Sequence, residues 1–135
     1  MKKDSVYGDD FPITFAQYTG QESGNIREEI KNDEPDILLT NYMMLELIMT
    51  RQSEKWLRDS MLKNLKYIVY DELHTYRGKQ GADVSLLNRR IQALSENDLI
   101  FIGTSATMAS QGSPEEKKKK VAEVATQIFG KEFPN

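Results

Sequence analysis

Asp71 and Glu72 are adjacent carboxylates set directly behind an apolar run, Tyr67-Ile68-Val69-Tyr70, and followed through Leu73 by His74, the single histidine of the chain. Further on, a second apolar run, Leu99-Ile100-Phe101-Ile102-Gly103, ends in the hydroxyl-rich segment Thr104-Ser105-Ala106-Thr107. Both arrangements put polar groups where an apolar strand leaves the core. In an open α/β sheet that rim is where ligands collect, because the buried part of each strand holds its last residues at the carboxyl edge. Strand neighbours point to opposite faces, so the pleat is expected to give the two acids different tasks. Asp71 suits Mg²⁺, a hard cation that takes few of its ligands from protein, and Glu72 is then free to orient or deprotonate a water. Together these residues predict nucleoside-triphosphate hydrolysis coupled to movement. On its own a pair of acids after a strand is also a common helix cap, and Ser105 and Thr107 could simply cap the next segment; it is the order of the two strand endings that favours chemistry.

Alternating strands and helices are predicted to position these groups. Ile13 to Tyr18 alternates as a strand that Gly20 breaks, a short helix follows over Asn25 to Lys31, and Asp33-Glu34-Pro35 leads to a strand at Ile37 to Thr40. Asn41 is placed to cap a helix reaching about Arg51, and a weaker helical stretch covers Glu54 to Leu62. Between the two apolar strands, Ala82, Leu86 and Arg90 with Val84, Leu87, Ile91 and Leu94 mark a helix with its apolar stripe on one side. Ser113-Pro114-Glu115-Glu116 is a capping box with proline in the first helical position; Val121, Val124, Ala125 and Ile128 recur at helical spacing until Gly130. The alternation predicts an α/β protein with a parallel three-layer sheet, its domain running over residues 13–130 between a loose segment, 1–12, and a tail, 131–135.

Asp71-Glu72-Leu73-His74 resembles the DExH box, motif II of superfamily 2 helicases, and Ser105-Ala106-Thr107 resembles their motif III, in the same order and each closing an apolar strand. Asp36-Ile37-Leu38-Leu39-Thr40-Asn41 is similar to the motif Ib region, with Asn41 where the family more often has proline. The run from Asp71 to Gly81, with Thr75-Tyr76-Arg77-Gly78, is similar to large bacterial DEAD/DEAH-box helicases of DNA repair and phage defence. The resemblance extends from about Ile13 to Phe129 and implies a RecA-like, P-loop NTPase fold working with ATP and Mg²⁺. It implies Asp71, Glu72 and His74 as catalytic residues, with Mg²⁺ on Asp71 and His74 linking the nucleotide site to motif III. Ser105, Ala106 and Thr107 would then couple hydrolysis to movement, and Thr40 and Asn41 would touch the backbone of nucleic acid, with DNA the expected partner.

One family part has no counterpart here. Gly-x-x-x-x-Gly-Lys-[Ser/Thr] occurs nowhere in the sequence, so nothing cradles the α- and β-phosphates. The expectation is therefore a partial RecA-like domain lacking the phosphate-loop strand, half of an ATP site, inactive alone and completed by the remaining helicase domains of a parent protein. Without that strand, Leu99 to Gly103 is expected to be an unprotected edge through which the chain self-associates. A non-catalytic interaction or nucleic-acid-binding module derived from a motor domain is the alternative, and a metal-dependent hydrolase on Asp71, Glu72 and His74 is disfavoured because adjacent strand-end acids cannot both face one metal without a bend.

Composition fits a globular domain, with 39% hydrophobic and 29% charged residues. No run is long and apolar enough to cross a bilayer, and no apolar leader follows Met1-Lys2-Lys3-Asp4-Ser5, so no membrane partner and a cytoplasmic location are expected. Absence of cysteine excludes disulfides and Cys-based zinc sites, and one histidine excludes a His-rich one. A net charge of −3 decides nothing about nucleic acid, since an acidic protein can carry a local basic path. Lys117 to Lys120 reads as a solvated helix face, because Glu115-Lys119 and Glu116-Lys120 are i,i+4 pairs in the favourable order. Met43, Met44 and Met49 are expected in the core and Trp56 over an apolar surface.

Overall fold

The computed structural model describes residues 12–105 and 113–129. The chain divides between Leu57 and Arg58 into two compact units. The first opens with β1 (Phe15–Gln17), shorter than the predicted strand, although backbone bonds continue past both ends, from the Ile37 N–H to the Thr14 carbonyl at 3.0 Å and from the Tyr18 N–H to the Leu39 carbonyl at 2.8 Å; side chains reinforce the first of these. The Thr14 N–H and hydroxyl donate to Asp36 Oδ2 at 2.9 and 3.1 Å, and the Asp36 N–H donates back to Thr14 Oγ1 at 3.1 Å. β2 (Ile37–Leu39) pairs with β1 in parallel, Phe15 opposite Ile37 and Gln17 opposite Leu39. A parallel pair needs a crossover, and α1 (Gly24–Asn32) supplies it. α2 (Tyr42–Thr50) starts where predicted: Asn41 Oδ1 accepts from the Met44 N–H at 2.8 Å. A 3₁₀ turn at Gln52–Glu54 precedes α3 (Lys55–Asn64).

Tyr18 is the hub of this unit. It is fully buried, and its hydroxyl donates to the carboxylate of Glu54, itself 2% exposed. Trp56 meets the ring edge-on at 6.3 Å, and the Arg27 guanidinium lies 5.8 Å from the ring centre. Burial, then the bond to Glu54, pushes the Tyr18 hydroxyl from its ordinary 10.0 up to about 12. Met44, Leu45 and Ile48 form the buried stripe of α2. Met43, expected in the core, is 65% exposed, because it sits one step round the helix from that stripe.

The second unit holds β3 (Tyr67–Tyr70) and β4 (Ile100–Gly103), again parallel, with Tyr67 opposite Ile100 and Tyr70 opposite Gly103. α4 (Gly78–Leu94) is the crossover, and α5 (Pro114–Phe129) packs with it. The α5 capping box forms as predicted: the Ser113 N–H donates to Glu116 Oε2 at 3.1 Å and the Glu116 N–H to Ser113 Oγ at 3.2 Å. Ala125 and Ile128 are buried and Val124 is half-buried, while Gly130 and the side chain of Val121 lie outside the described residues. Phe129 stacks on Phe101 at 5.2 Å and tilts against Tyr70 at 5.7 Å. A polar bridge ties three elements at this core: the Tyr70 hydroxyl donates to Asn88 Oδ1 at 2.7 Å, and Asn88 Nδ2 donates to the Ile128 carbonyl at 3.2 Å. Asn88 makes the buried stripe of α4 run through Gly81, Val84, Ser85, Leu87, Asn88 and Ile91. Ala82, Leu86 and Arg90 form an exposed row, and Leu94 is also exposed, so the predicted stripe is turned.

Both sheets are two-stranded among the described residues, with free edges on every strand. Tyr67, Val69, Ile100 and Ile102 point to one face of the β3–β4 pair and are 41–58% exposed, while Tyr70 and Phe101 are buried on the other. Residues 1–11 and the tail lie outside the described residues, as do the bounds predicted there.

Tyr18→Phe leaves the buried Glu54 carboxylate without its donor and is expected to lower stability by about 1–3 kcal/mol, with Glu54→Gln milder because an acceptor remains. Urea unfolding followed through Trp56, the one tryptophan, checks this. The raised Tyr18 pKa gives a sign as well: folded Tyr18 keeps its proton between pH 10 and about 12 while the unfolded chain loses it, so that contribution to stability is full below pH 10 and falls across the window. The phenylalanine variant should lack that component of the alkaline slope.

Candidate functional site

β3 stops at Tyr70, and the two acids stand in the turn beyond it. Glu72 adopts φ 53°, ψ 50°, a left-handed conformation that costs a non-glycine residue about 1–3 kcal/mol. This turn, rather than the pleat, is what separates the two carboxylates, which corrects the reading of both as strand residues. A 3₁₀ turn over Leu73–Thr75 follows, closed by the Thr75 N–H and hydroxyl on the Glu72 carbonyl at 2.9 and 2.8 Å. The conformation is held from the neighbouring strand end. The Thr104 N–H donates to the Tyr70 carbonyl at 2.8 Å, and the Leu73 N–H donates to the Thr104 carbonyl at 2.9 Å.

Side chains then connect across the same gap. Asp71 Oδ1 accepts from the Thr104 hydroxyl at 2.5 Å and from the Glu72 N–H at 3.0 Å. Glu72 Oε2 lies 3.2 Å from His74 Nε2, and His74 Nδ1 lies 3.0 Å from Ser105 Oγ. A carboxylate only accepts, so Nε2 carries the proton toward Glu72 and, in the neutral ring, Nδ1 accepts from the Ser105 hydroxyl. The result is a relay of three side chains, Glu72 to His74 to Ser105, between the end of β3 and the end of β4.

Of the predicted site residues, Asp71, Glu72, His74 and Ser105 are thus brought together. Ala106 and Thr107 lie outside the described residues. Thr40 and Asn41 belong to the first unit, where both are exposed at the end of β2. The Thr40 hydroxyl donates to the Tyr18 carbonyl at 2.6 Å, and Asn41 caps α2 through Oδ1. Thr104 is the residue that sequence reasoning missed. Its signal was a hydroxyl directly at the strand end, one place before the three residues that carry the motif III resemblance.

Asp71 is the carboxylate here that could hold a cation. Oδ1 is taken by two donors, and Oδ2 has no partner among the described residues. Among those residues no group of three metal-binding side chains occurs.

The profile for the DEAD/DEAH box helicase family matches residues 5–113, which includes the whole of this turn and the end of β4. The chain belongs to the DEAD/DEAH box helicases. It is 41% identical over 96 residues to the ATP-dependent helicase YprA of Bacillus subtilis, covering 69% of this chain and 12% of that protein. It is 37% identical over 101 residues to the Druantia protein DruE of Escherichia coli, covering 69% and 5%. Among solved structures, the DUF1998 helicase MrfA bound to DNA superposes with a TM-score of 0.70 at 35% identity, over 92% of this chain and 15% of that one. The Mycobacterium smegmatis helicase Lhr bound to ssDNA and AMP-PNP gives 0.63 at 28%, over 84% and 13%. The chain therefore spans about an eighth or less of the curated relatives named here. Its fold is that of a RecA-like helicase domain, α/β with parallel strands, as the sequence implied.

Within this DEAD/DEAH turn, Gly103 has a steric role. A Cβ there would stand 2.6 Å from Leu73 Cδ2, so the buried Leu73 side chain, 1% exposed, would have to shift. Gly103→Ala is expected to cost about 1–3 kcal/mol through overpacking and to speed amide exchange at Leu73 and Thr104 selectively. Adding Leu73→Ala should restore slow exchange at Thr104; unchanged exchange in the single variant would count against the close fit.

Proposed function

We propose that this chain is the motif Ib to motif III part of the first motor domain of an ATP-dependent helicase or translocase that acts on DNA. The observation that carries the reading is the Glu72–His74–Ser105 relay, which joins the acids of one strand end to the hydroxyl of the next. A carboxylate that turns a water toward a phosphate gains or loses its hold as the phosphate leaves, and here it is wired to a histidine and a second strand. Glu72 carries out the water-orienting step through Oε1, the oxygen not engaged by His74. Asp71 would hold Mg²⁺, and the cation would supply charge neutralisation on the phosphates of ATP when bound. His74 and Ser105, with Ala106 and Thr107, pass the change onward. Thr40 and Asn41 meet the nucleic-acid backbone, with Asn41 Nδ2 and the start of α2 offering donors to a phosphate.

DNA is favoured over RNA because MrfA and Lhr are both described in complexes with DNA, MrfA also with AMPPNP. The long DELH-to-Gly81 run supports a parent in the repair and phage-defence group of bacterial helicases, working in the cytoplasm with its remaining helicase domains. No helix among the described residues is long and apolar enough to cross a membrane. The free β4 edge and the exposed Ile100 and Ile102 support self-association of the chain when it is alone.

The isolated chain is expected to show no DNA-stimulated ATP hydrolysis. In the longer protein that contains this segment, Glu72→Gln should lower kcat about 10²- to 10⁴-fold, the usual contribution of a positioned proton acceptor, while nucleotide affinity changes little. Steady-state hydrolysis and equilibrium nucleotide binding measured on the same preparation decide it. Hydrolysis at the ordinary rate in the glutamine variant would remove Glu72 from its role, and DNA binding without any turnover in the unaltered longer protein would favour the interaction module.

A further inference from the structure

We propose that Thr104, outside the Ser105-Ala106-Thr107 segment, is the positioning residue of Asp71: its hydroxyl locks the carboxylate in one rotamer with Oδ1 turned inward and Oδ2 outward. Asp71 and Thr104 are both exposed, and an exposed hydroxyl facing an exposed carboxylate ordinarily loses to water. Three features of Thr104 change that balance. Its backbone is fixed on both sides, N–H to the Tyr70 carbonyl at 2.8 Å and carbonyl to the Leu73 N–H at 2.9 Å, so the Cα has no freedom to drift. Its β-branched side chain has few χ1 choices, which makes the direction of the hydroxyl largely a property of the backbone. The bond it forms, 2.5 Å to Asp71 Oδ1, is a charge-assisted one and is reinforced on the same oxygen by the Glu72 N–H at 3.0 Å.

Two donors converging on one carboxylate oxygen leave the other as the free acceptor. A ligand for a hard cation has to be oriented before the cation arrives, and partners behind the ligating carboxylate do that work. Thr104 therefore acts through Asp71, without touching nucleotide. The same backbone bonds that hold Thr104 also hold the left-handed turn at Glu72, so one residue fixes the direction of the first acid and the path to the second. Its link to metal binding rests on the reading of Asp71 as the Mg²⁺ ligand; the rotamer lock itself does not.

The test uses the 135-residue chain, isotopically labelled. Three-bond couplings from Asp71 Cγ to its own backbone N and carbonyl carbon report χ1. The unaltered chain is expected to show one rotamer, Thr104→Val to show averaged couplings, and Thr104→Ser to return to one rotamer, with thermal unfolding of the three kept as a control on folding. Valine keeps the shape and the backbone bonds and lacks only the hydroxyl, so a structural effect alone would leave the couplings unchanged. Couplings for Asp71 that are the same in the valine variant as in the unaltered chain would overturn the proposal. Titration with Mn²⁺ then separates the two readings: broadening centred on Asp71 that needs several-fold more Mn²⁺ in the valine variant, and recovers in the serine variant, supports both. A locked Asp71 with no local broadening would retain Thr104 as its positioning residue and show that this chain without nucleotide holds no cation at Asp71.

Discussion

The site depends on two backbone hydrogen bonds made beyond the last formal pair of the β3–β4 ladder, Thr104 N–H to the Tyr70 carbonyl and Leu73 N–H to the Thr104 carbonyl. They carry parallel pairing past the strand ends into the turn. Without them, Glu72 would have no reason to stay in a left-handed conformation that most non-glycine residues avoid. With them, Leu73 is driven into the core against Gly103, and the residues on either side of it, Glu72 and His74, are left at the rim. An apolar anchor flanked by two polar groups is how a short sequence turns strand register into site geometry. A buried leucine supplies the order of 2 kcal/mol, comparable with the cost of the turn it holds in place.

The first unit solves a different problem with the same economy of parts. Its two strands are three residues each, too short to be stable alone, and Tyr18 compensates by collecting contacts from Glu54 in the 3₁₀ turn, from Trp56 at the start of α3 and from Arg27 on α1. The Tyr18 carbonyl takes the Thr40 hydroxyl, so the end of β2 is fixed to the end of β1. Thr40 and Asn41 are exposed at that end. The proton of the Thr40 hydroxyl is already committed there. In the proposed contact with nucleic acid, donation to a phosphate would therefore fall to Asn41 Nδ2 and to backbone N–H groups at the start of α2.

Much of this was legible in the sequence, for reasons that can be named. Asn41 and the Ser113–Glu116 box announce helix starts by local hydrogen-bond chemistry, and both form with the expected partners. The strands at Tyr67 and Leu99 are marked by apolar runs that turn polar at once, and they hold to within a residue. That Asp71, Glu72, His74 and Ser105 come close together was legible because strand ends gather at one rim. What local pattern could not reveal is partnership at a distance. Asn88 sits where helical periodicity asks for an apolar residue, and only the Tyr70 hydroxyl and the Ile128 carbonyl explain it. Ala82, Leu86 and Arg90, grouped with the apolar residues that mark the helix, form an exposed row for the same reason, since spacing defines a face and not what lies against it. Met43 was misplaced because one helical step separates it from Met44. The left-handed Glu72 was invisible, being set by Thr104 in the other strand.

Holding the end of β3 and the end of β4 as one mechanical piece is the central requirement of this account, and His74 is the side chain that spans the gap. Because it is the only histidine, its ring nitrogens give an unambiguous signal in a long-range ¹H–¹⁵N correlation recorded at a pH where the ring is neutral. The account predicts a single tautomer with the proton on Nε2, facing Glu72, and an Nδ1 resonance that moves on Ser105→Ala while the fold is retained. A ring that averages equally between both tautomers, with an Nδ1 resonance indifferent to Ser105→Ala, would contradict it.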